Sequence, residues 1–123
     1  MNIMVTGGYG FIGSNFIRYL FTKADFSGNI INYDKLTYAA NPLNLVDIEK
    51  KYRRRYVFVR GDICNYKSVK ETIDDYSVDA IVHFAAESHV DRSIYGPGDF
   101  IKTNINGTFI LLEAVRYFKN RGK

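Results

Sequence analysis

The chain has 123 residues, 46% of them hydrophobic and 24% charged, with a formal charge of +4. That size and balance fit one globular domain and exclude a disordered or fibrous chain. No run approaches the roughly 20 apolar residues that span a bilayer, and Ile3-Met4-Val5 passes at once into glycines without the apolar core and cleavage site of a secretory leader. A soluble, cytoplasmic protein is therefore expected. The basic balance, with a pI near 9.2, favours an anionic partner without choosing among nucleotide, nucleic acid and membrane surface. Cys64 is the only cysteine, so it forms no internal disulfide and is read as a reduced, structural thiol.

Apolar runs and helical stretches alternate from the first residues, as expected of a parallel sheet with helices on both faces. Residues 2–6 read as a buried strand ended by glycines. From about Gly10 to Lys23, Ile12, Phe16 and Leu20 recur at helical spacing. A second strand covers 30–34, and Asn41-Pro42 marks a turn before a short helix reaching about Lys50. The third strand covers 56–60, Asn65 is placed to cap a helix running to about Tyr76, and the fourth strand covers 79–85. Pro97 suits the first position of a last helix ending near Phe118. Ile101, Ile105, Phe109 and Leu112 line one side of it, while Ile110 and Leu111 widen the apolar surface and call for a cover. No repeat or linker composition marks an internal boundary. The predicted fold class is thus α/β, a doubly wound parallel (Rossmann) sheet, incomplete in this chain, with at least four strands.

Gly7, Gly10 and Gly13 fall between the first strand and first helix, in Thr6-Gly7-Gly8-Tyr9-Gly10-Phe11-Ile12-Gly13-Ser14. A pyrophosphate must approach the backbone closely in such a turn, where unpaired N–H groups and the positive end of the helix dipole meet it. Side chains at 7 or 10 would block that approach, and a glycine at 13 lets the helix lie close to the first strand. The Gly-x-x-Gly-x-x-Gly spacing resembles that of the short-chain dehydrogenase/reductase superfamily. Asp34 ends the second strand 21 residues after Gly13, where the ribose-binding acid belongs. A carboxylate there accepts from both ribose hydroxyls and repels a 2′-phosphate, which selects NAD over NADP, an inference that the neighbouring Lys35 weakens. Asp62 follows the third strand, where it either meets the adenine amino group or caps its own loop.

His83 lies within a strand pattern and is read as a hydrogen-bonded core residue, whereas His89 falls on a loop. Two isolated histidines without clustered carboxylates or cysteines make no metal site, so no metal is expected. Lys50-Lys51-Tyr52-Arg53-Arg54-Arg55 could track nucleic-acid phosphates. It falls between a helix and an edge-side strand, where solvated charge is usual.

The fourth strand leads into His83-Phe84-Ala85-Ala86-Glu87-Ser88-His89-Val90-Asp91-Arg92-Ser93. With Asp34-Lys35-Leu36-Thr37-Tyr38-Ala39 and Thr103-Asn104, this stretch resembles the dTDP-glucose 4,6-dehydratases, which are extended short-chain dehydrogenases. The resemblance covers nearly the whole chain. Other nucleotide-sugar epimerases and dehydratases share the glycine turn, but the two longer motifs together are much narrower. Residues 1–123 then correspond to the N-terminal part of an NAD-binding Rossmann domain, with no second domain. The resemblance implies NAD, with Gly7, Gly10 and Gly13 in the phosphate turn, Phe11 and Ile12 at the pyrophosphate, and Asp34, Lys35, Leu36 and Thr37 around the adenosine ribose. It puts Asp62 and Ile63 at the adenine, and Phe84, Ala85, Ala86, Glu87, Ser88 and Thr103 on the nicotinamide side, with Ser88 also near the sugar substrate. Tyr9 stands where many relatives have a small residue.

The family's reaction, as the resemblance implies it, oxidises the glucose C4 hydroxyl of dTDP-glucose by hydride transfer to NAD, eliminates water across C5 and C6, and returns the hydride to C6. A Tyr-x-x-x-Lys pair and an Asp-Glu pair carry it, and in the family both lie beyond the part matched here. No catalytic residue is therefore assigned, and the chain by itself is expected to be inactive. Tyr19/Lys23 and Tyr66/Lys70 match the first spacing but follow no fifth strand. A cytoplasmic lyase of dTDP-rhamnose biosynthesis is implied, homodimeric at full length, with neither nucleic acid nor membrane as partner. Without the further strands, the fourth strand and last helix should expose apolar surface and unpaired backbone groups, leaving the isolated chain unstable or self-associating. The alternatives are an NAD-binding module without chemistry, alone or complementing a separate C-terminal half, another nucleotide-sugar epimerase or dehydratase, and a nucleic-acid binder using the basic run.

Overall fold

Four parallel strands pair in the order β3-β2-β1-β4, with β1 at Asn2–Thr6, β2 at Asn29–Asp34, β3 at Tyr56–Arg60 and β4 at Ala80–His83. The computed structural model describes residues 1–86 and 94–122. Between the strands lie α1 (Phe11–Thr22), a 3₁₀ turn (Pro42–Leu45) running into α2 (Val46–Lys51), and α3 (Tyr66–Asp75). After β4 come α4 (Pro97–Phe100), a π-helical stretch (Ile101–Gly107) and α5 (Thr108–Asn120).

The strand sequences are nearly continuous in apolar residues because helices cover both faces. Successive side chains alternate between two cores. Ile3, Val5 and Ile30 pack with Ile17 and Phe21 of α1 and with Leu45 and Ile48. Met4, Ile31 and Tyr33 pack on the other side with Val69 and Ile73 of α3 and with Leu111, Ala114 and Phe118 of α5. Each fully buried aliphatic side chain in these layers contributes about 2 kcal/mol. The predicted α/β, doubly wound arrangement is thus present, and the strand positions agree to within a residue for β1, β2 and β3.

Helix α1 forms where the spacing of Ile12, Phe16 and Leu20 puts it; its buried side runs through Gly13, Ser14, Ile17 and Phe21, Phe16 and Leu20 pack partly buried against the same core, and Ile12 is 64% exposed. Gly13 must face the preceding turn, and that contact sets the phase of the helix. Strand β4 stops at His83 instead of Ala85. Its neighbour β1 ends at Thr6, the register partner of His83, and the Thr6 hydroxyl then accepts the N–H groups of Phe84 (3.1 Å) and Ala85 (3.2 Å).

The last helix begins at Pro97 as expected, but it is interrupted by the wider stretch 101–107 and ends at Asn120. At the end of that stretch the Thr108 hydroxyl donates to the Asn104 carbonyl at 2.9 Å and the Thr108 N–H to the Ile105 carbonyl. Ile101, Ile105, Phe109 and Leu112 do share a side, but that side points outward and is 55–63% exposed. Leu111, Ala114 and Phe118 face the sheet.

Candidate functional site

All four strands run the same way, so their carboxyl ends and the loops that follow meet at one edge, the usual ligand position in an open α/β sheet. A cleft opens there between the β1–α1 turn, the loops after β2, β3 and β4, and the π-helical stretch. Its lining includes Gly7, Gly10, Asp34, Lys35, Thr37, Asp62, Ile63, Phe84, Ala85, Ala86 and Thr103. These come from five separate segments, and all were singled out from the sequence.

The turn is shaped by close backbone approach. Gly7 has φ +72°, and a Cβ on it would lie 2.7 Å from the Ala85 nitrogen. The Gly7 N–H donates to the Tyr33 carbonyl at 2.9 Å, so the turn is held between the ends of β2 and β4. A Cβ on Gly13 would lie 2.2 Å from the Gly7 carbonyl oxygen. Gly13 therefore seats α1 against the turn itself, more directly than against the first strand as expected. Gly10 lines the cleft and caps α1 without a side-chain hydrogen bond, and the first-turn N–H groups of Phe11, Ile12 and Gly13 that follow it lack the i−4 acceptors of a helix interior. The side chains of Phe11 and Ile12 are 82% and 64% exposed and do not line the cleft, so any contribution from these two residues comes through the backbone.

Asp34 is buried at the end of β2. One carboxylate oxygen accepts from the Tyr9 N–H at 2.9 Å, and the other from the Leu36 N–H at 2.7 Å. A carboxylate has about four acceptor sites, so two remain for a diol. The second bond draws Leu36 into the left-handed region at φ 60°. Lys35 pairs with Asp62 at 3.2 Å, so its ammonium is engaged across the cleft by the loop after β3. Burial alone would raise the Asp62 carboxyl, but the Cys64 N–H and the Lys35 ammonium outweigh it and hold the group below its usual range. Asp62 caps its loop through the Cys64 N–H at 2.9 Å, as one of its two readings has it, and also lines the cleft.

Sequence reasoning left Tyr9 open. Its ring is buried, its hydroxyl donates to Glu49, and it accepts from Tyr56 at 3.2 Å. Its carbonyl accepts the Asn41 N–H at 3.0 Å and the Asn44 side chain at 3.3 Å. Tyr9 thus ties the glycine turn to α2, β3 and the loop carrying Ala39 and Ala40. Burial, then the bond to Glu49, pushes its pKa far above the ordinary tyrosine value. Tyr33, Ala39, Ala40 and Gly61 also line the cleft and were missed. The small pair before Asn41-Pro42 and the glycine before Asp62 were the available signals.

His83 is half-buried and hydrogen-bonded at both ring nitrogens, in line with a core reading, and burial lowers its pKa. His89, Glu87 and Ser88 lie outside the described residues. Cys64 is partly buried, donates to the Lys102 carbonyl at 3.1 Å, and its thiol is pushed up by burial, consistent with a structural role. Among the described residues there is no cluster of three potential metal ligands, and no helix is long and apolar enough to cross a membrane.

The basic run sits at the opposite pole, leading into the start of β3. Arg55 donates to the Phe26 and Gly28 carbonyls at 2.9 and 3.2 Å and covers the rings of Phe21 and Tyr52, so part of the run is structural. Neither Tyr-x-x-x-Lys pair lines the cleft. Lys70 lies over the rings of Tyr66 and Tyr117, and Tyr19 is an exposed position of α1.

A model of the GDP-mannose 4,6 dehydratase family matches residues 4–123. The dTDP-glucose 4,6-dehydratase of Haemophilus influenzae is 51% identical over 119 residues, which cover 96% of this chain and 34% of the relative. Among solved structures, a Streptomyces venezuelae dTDP-glucose 4,6-dehydratase with NAD and TYD bound superposes with a TM-score of 0.85 at 46% identity, over 93% of this chain and 35% of that one. The Bacillus anthracis dTDP-glucose 4,6-dehydratase in complex with NAD gives 0.79 at 42% identity, over 96% and 34%. The chain spans about a third of the length of the curated relatives it matches.

Proposed function

The chain belongs to the GDP-mannose 4,6 dehydratase family, and from that premise we propose that residues 1–123 form the N-terminal part of the NAD-binding Rossmann domain of a dTDP-glucose 4,6-dehydratase. The observation that carries this reading is the convergence of the glycine turn, Asp34, Asp62, the Phe84–Ala86 wall and Thr103 on one cleft.

The residues fit a dinucleotide. The bare first-turn amides of Phe11, Ile12 and Gly13 suit a pyrophosphate, and the free acceptor sites of Asp34 suit the two ribose hydroxyls. Asp34 repels a 2′-phosphate, which supports NAD over NADP, while the neighbouring Lys35 is drawn to Asp62. Leu36 and Thr37 complete the ribose side, and Ile63 packs beside Asp62 at the adenine. Phe84, Ala85, Ala86 and Thr103 form the nicotinamide side, and Glu87 and Ser88 complete the set, with Ser88 also meeting the sugar. Bound NAD would accept a hydride from the sugar C4 and return it to C6. The described residues supply binding, orientation and shielding from water. The residues that move protons are proposed to lie outside this chain, which by itself is then inactive.

The whole protein is read as a cytoplasmic lyase of nucleotide-sugar metabolism in the dTDP-rhamnose branch. The outward Ile101, Ile105, Phe109 and Leu112 stripe supports pairing of two copies. Calorimetry on the full encoded protein should show NAD bound far more tightly than NADP, with the preference lost in Asp34→Ala. Conversion of dTDP-glucose to its 4-keto-6-deoxy product tests the substrate. Folded protein that takes up no NAD at millimolar concentration would overturn the reading.

A further inference from the structure

At the nicotinamide end of the cleft, two walls that share no backbone ladder are joined through one imidazole. Thr6 is fully buried; its hydroxyl accepts the Ala85 N–H at 3.2 Å and shares the Phe84 N–H, at 3.1 Å, with the Thr6 carbonyl at 3.0 Å. A hydroxyl has one hydrogen and two lone pairs, so with both lone pairs occupied its hydrogen goes to His83 Nδ1, 2.6 Å away. Nδ1 is then an acceptor, and a neutral ring carries its hydrogen on Nε2. That hydrogen meets Thr108 Oγ1 at 3.1 Å, and the Thr108 hydroxyl passes its own hydrogen to the Asn104 carbonyl at 2.9 Å. Every group in the series donates in the same direction, from the Phe84–Ala85 backbone to the π-helical stretch that carries Thr103. A second hydrogen on the ring would face a Thr6 oxygen with no lone pair left, and burial also disfavours the imidazolium.

We propose that His83 is a positioning residue: as the neutral Nε2–H tautomer it sets the separation between the Phe84–Ala86 wall and Thr103, and so the fit of the nicotinamide half of the cofactor. Its geometry stands alone, and its consequence for binding rests on the NAD reading above. Hydrogen bonds bridging the two walls would strengthen one another in this partly buried site. The adenosine end of the cleft is fixed separately, through Asp34, Tyr9 and the Lys35–Asp62 pair.

The test compares Thr108→Val and His83→Asn with the parent in the full encoded protein, using NAD and ADP as ligands. The asparagine can still accept from Thr6 but is too short to reach Thr108. Both variants should weaken NAD about five- to tenfold and leave ADP within twofold, because ADP does not reach the far walls. Equal losses for both ligands would mark a merely structural effect, and no loss for NAD would remove the positioning role; either result overturns the proposal. A long-range ¹H–¹⁵N spectrum near pH 7.5 should show the imidazole neutral with its hydrogen on Nε2, and a cation or the Nδ1–H form would also overturn it. If the parent binds neither ligand, the NAD reading fails. The link itself is then decided by amide exchange at Ala85, whose N–H is held by the Thr6 hydroxyl; it should quicken in Thr108→Val and would refute the link by staying unchanged.

Discussion

Strands β2 and β4 are both apolar runs in one parallel sheet, yet β2 buries five of its six residues and β4 leaves all four half-exposed. β2 lies between β1 and β3 with helices on both faces, whereas β4 is hydrogen-bonded only to β1. A groove lined by Ile73, Val78, Ile81, Val115 and Phe118 runs along that side. Enclosure therefore follows from the number of neighbours and not from composition. The consequence reaches the cleft. At the β2 end, polar groups are fixed by short bonds to adjacent backbone, as at Asp34 with Tyr9 and Leu36. At the β4 end, side chains meet one another as well as backbone, through Thr6, His83 and Thr108.

The comparison can be broken most severely where the two regions touch. Gly7→Val would place a branched side chain at φ +72° and against the Ala85 backbone. It should cost about 3 kcal/mol or more and abolish cofactor binding, as urea denaturation and calorimetry would show. Within the enclosed region, Asp34→Ala strands two N–H groups. It should lower stability by about 2 kcal/mol in the same denaturation assay, a larger effect than Asp62→Ala, whose side chain is 33% exposed.

Tyr9→Phe removes one buried hydroxyl and leaves Glu49 with Tyr56 alone. A loss of about 1 kcal/mol is expected. In the parent, spectrophotometric titration should find Tyr9, Tyr33 and Tyr56 still protonated above pH 10, since burial raises all three and holds Tyr56 at about 12.

The open region should respond to acid. Burial depresses the His83 pKa in the folded state, so the unfolded chain binds more protons as pH falls through the ordinary histidine value of about 6.5. The His83 contribution is complete above that value and is lost as pH drops toward the folded pKa. The urea midpoint should fall between pH 7.5 and 5.5 by more in the parent than in His83→Asn. Smallest of all, Leu112→Ser on the outward face should change monomer stability by no more than about 0.5 kcal/mol, while sedimentation should show weaker self-association.

Most of the cleft was legible in the chain because its chemistry is local. Gly7, Gly10 and Gly13 are needed by a turn of nine residues, and Asp34 and Asp62 sit where strands end. Tyr9 was not legible, since its partners Glu49 and Tyr56 are 40 and 47 residues away. Nothing beside Lys35 in sequence announces its pairing with Asp62. The extent of β4 and the wide turn at 101–107 were misjudged for a related reason. Apolar residues alone do not say where a neighbouring strand stops or where a helix widens.

The alternation of apolar runs, the glycine spacing and the carboxylates at strand ends determined the fold class and the place of the cleft by themselves, because each acts over a few residues through backbone sterics and hydrogen-bonding capacity. Which face of α5 turns inward, which N–H groups meet the two oxygens of Asp34 and which partners meet the two nitrogens of His83 were decided only in three dimensions. Those choices depend on groups brought together from distant parts of the chain, where a single hydrogen or lone pair settles the arrangement.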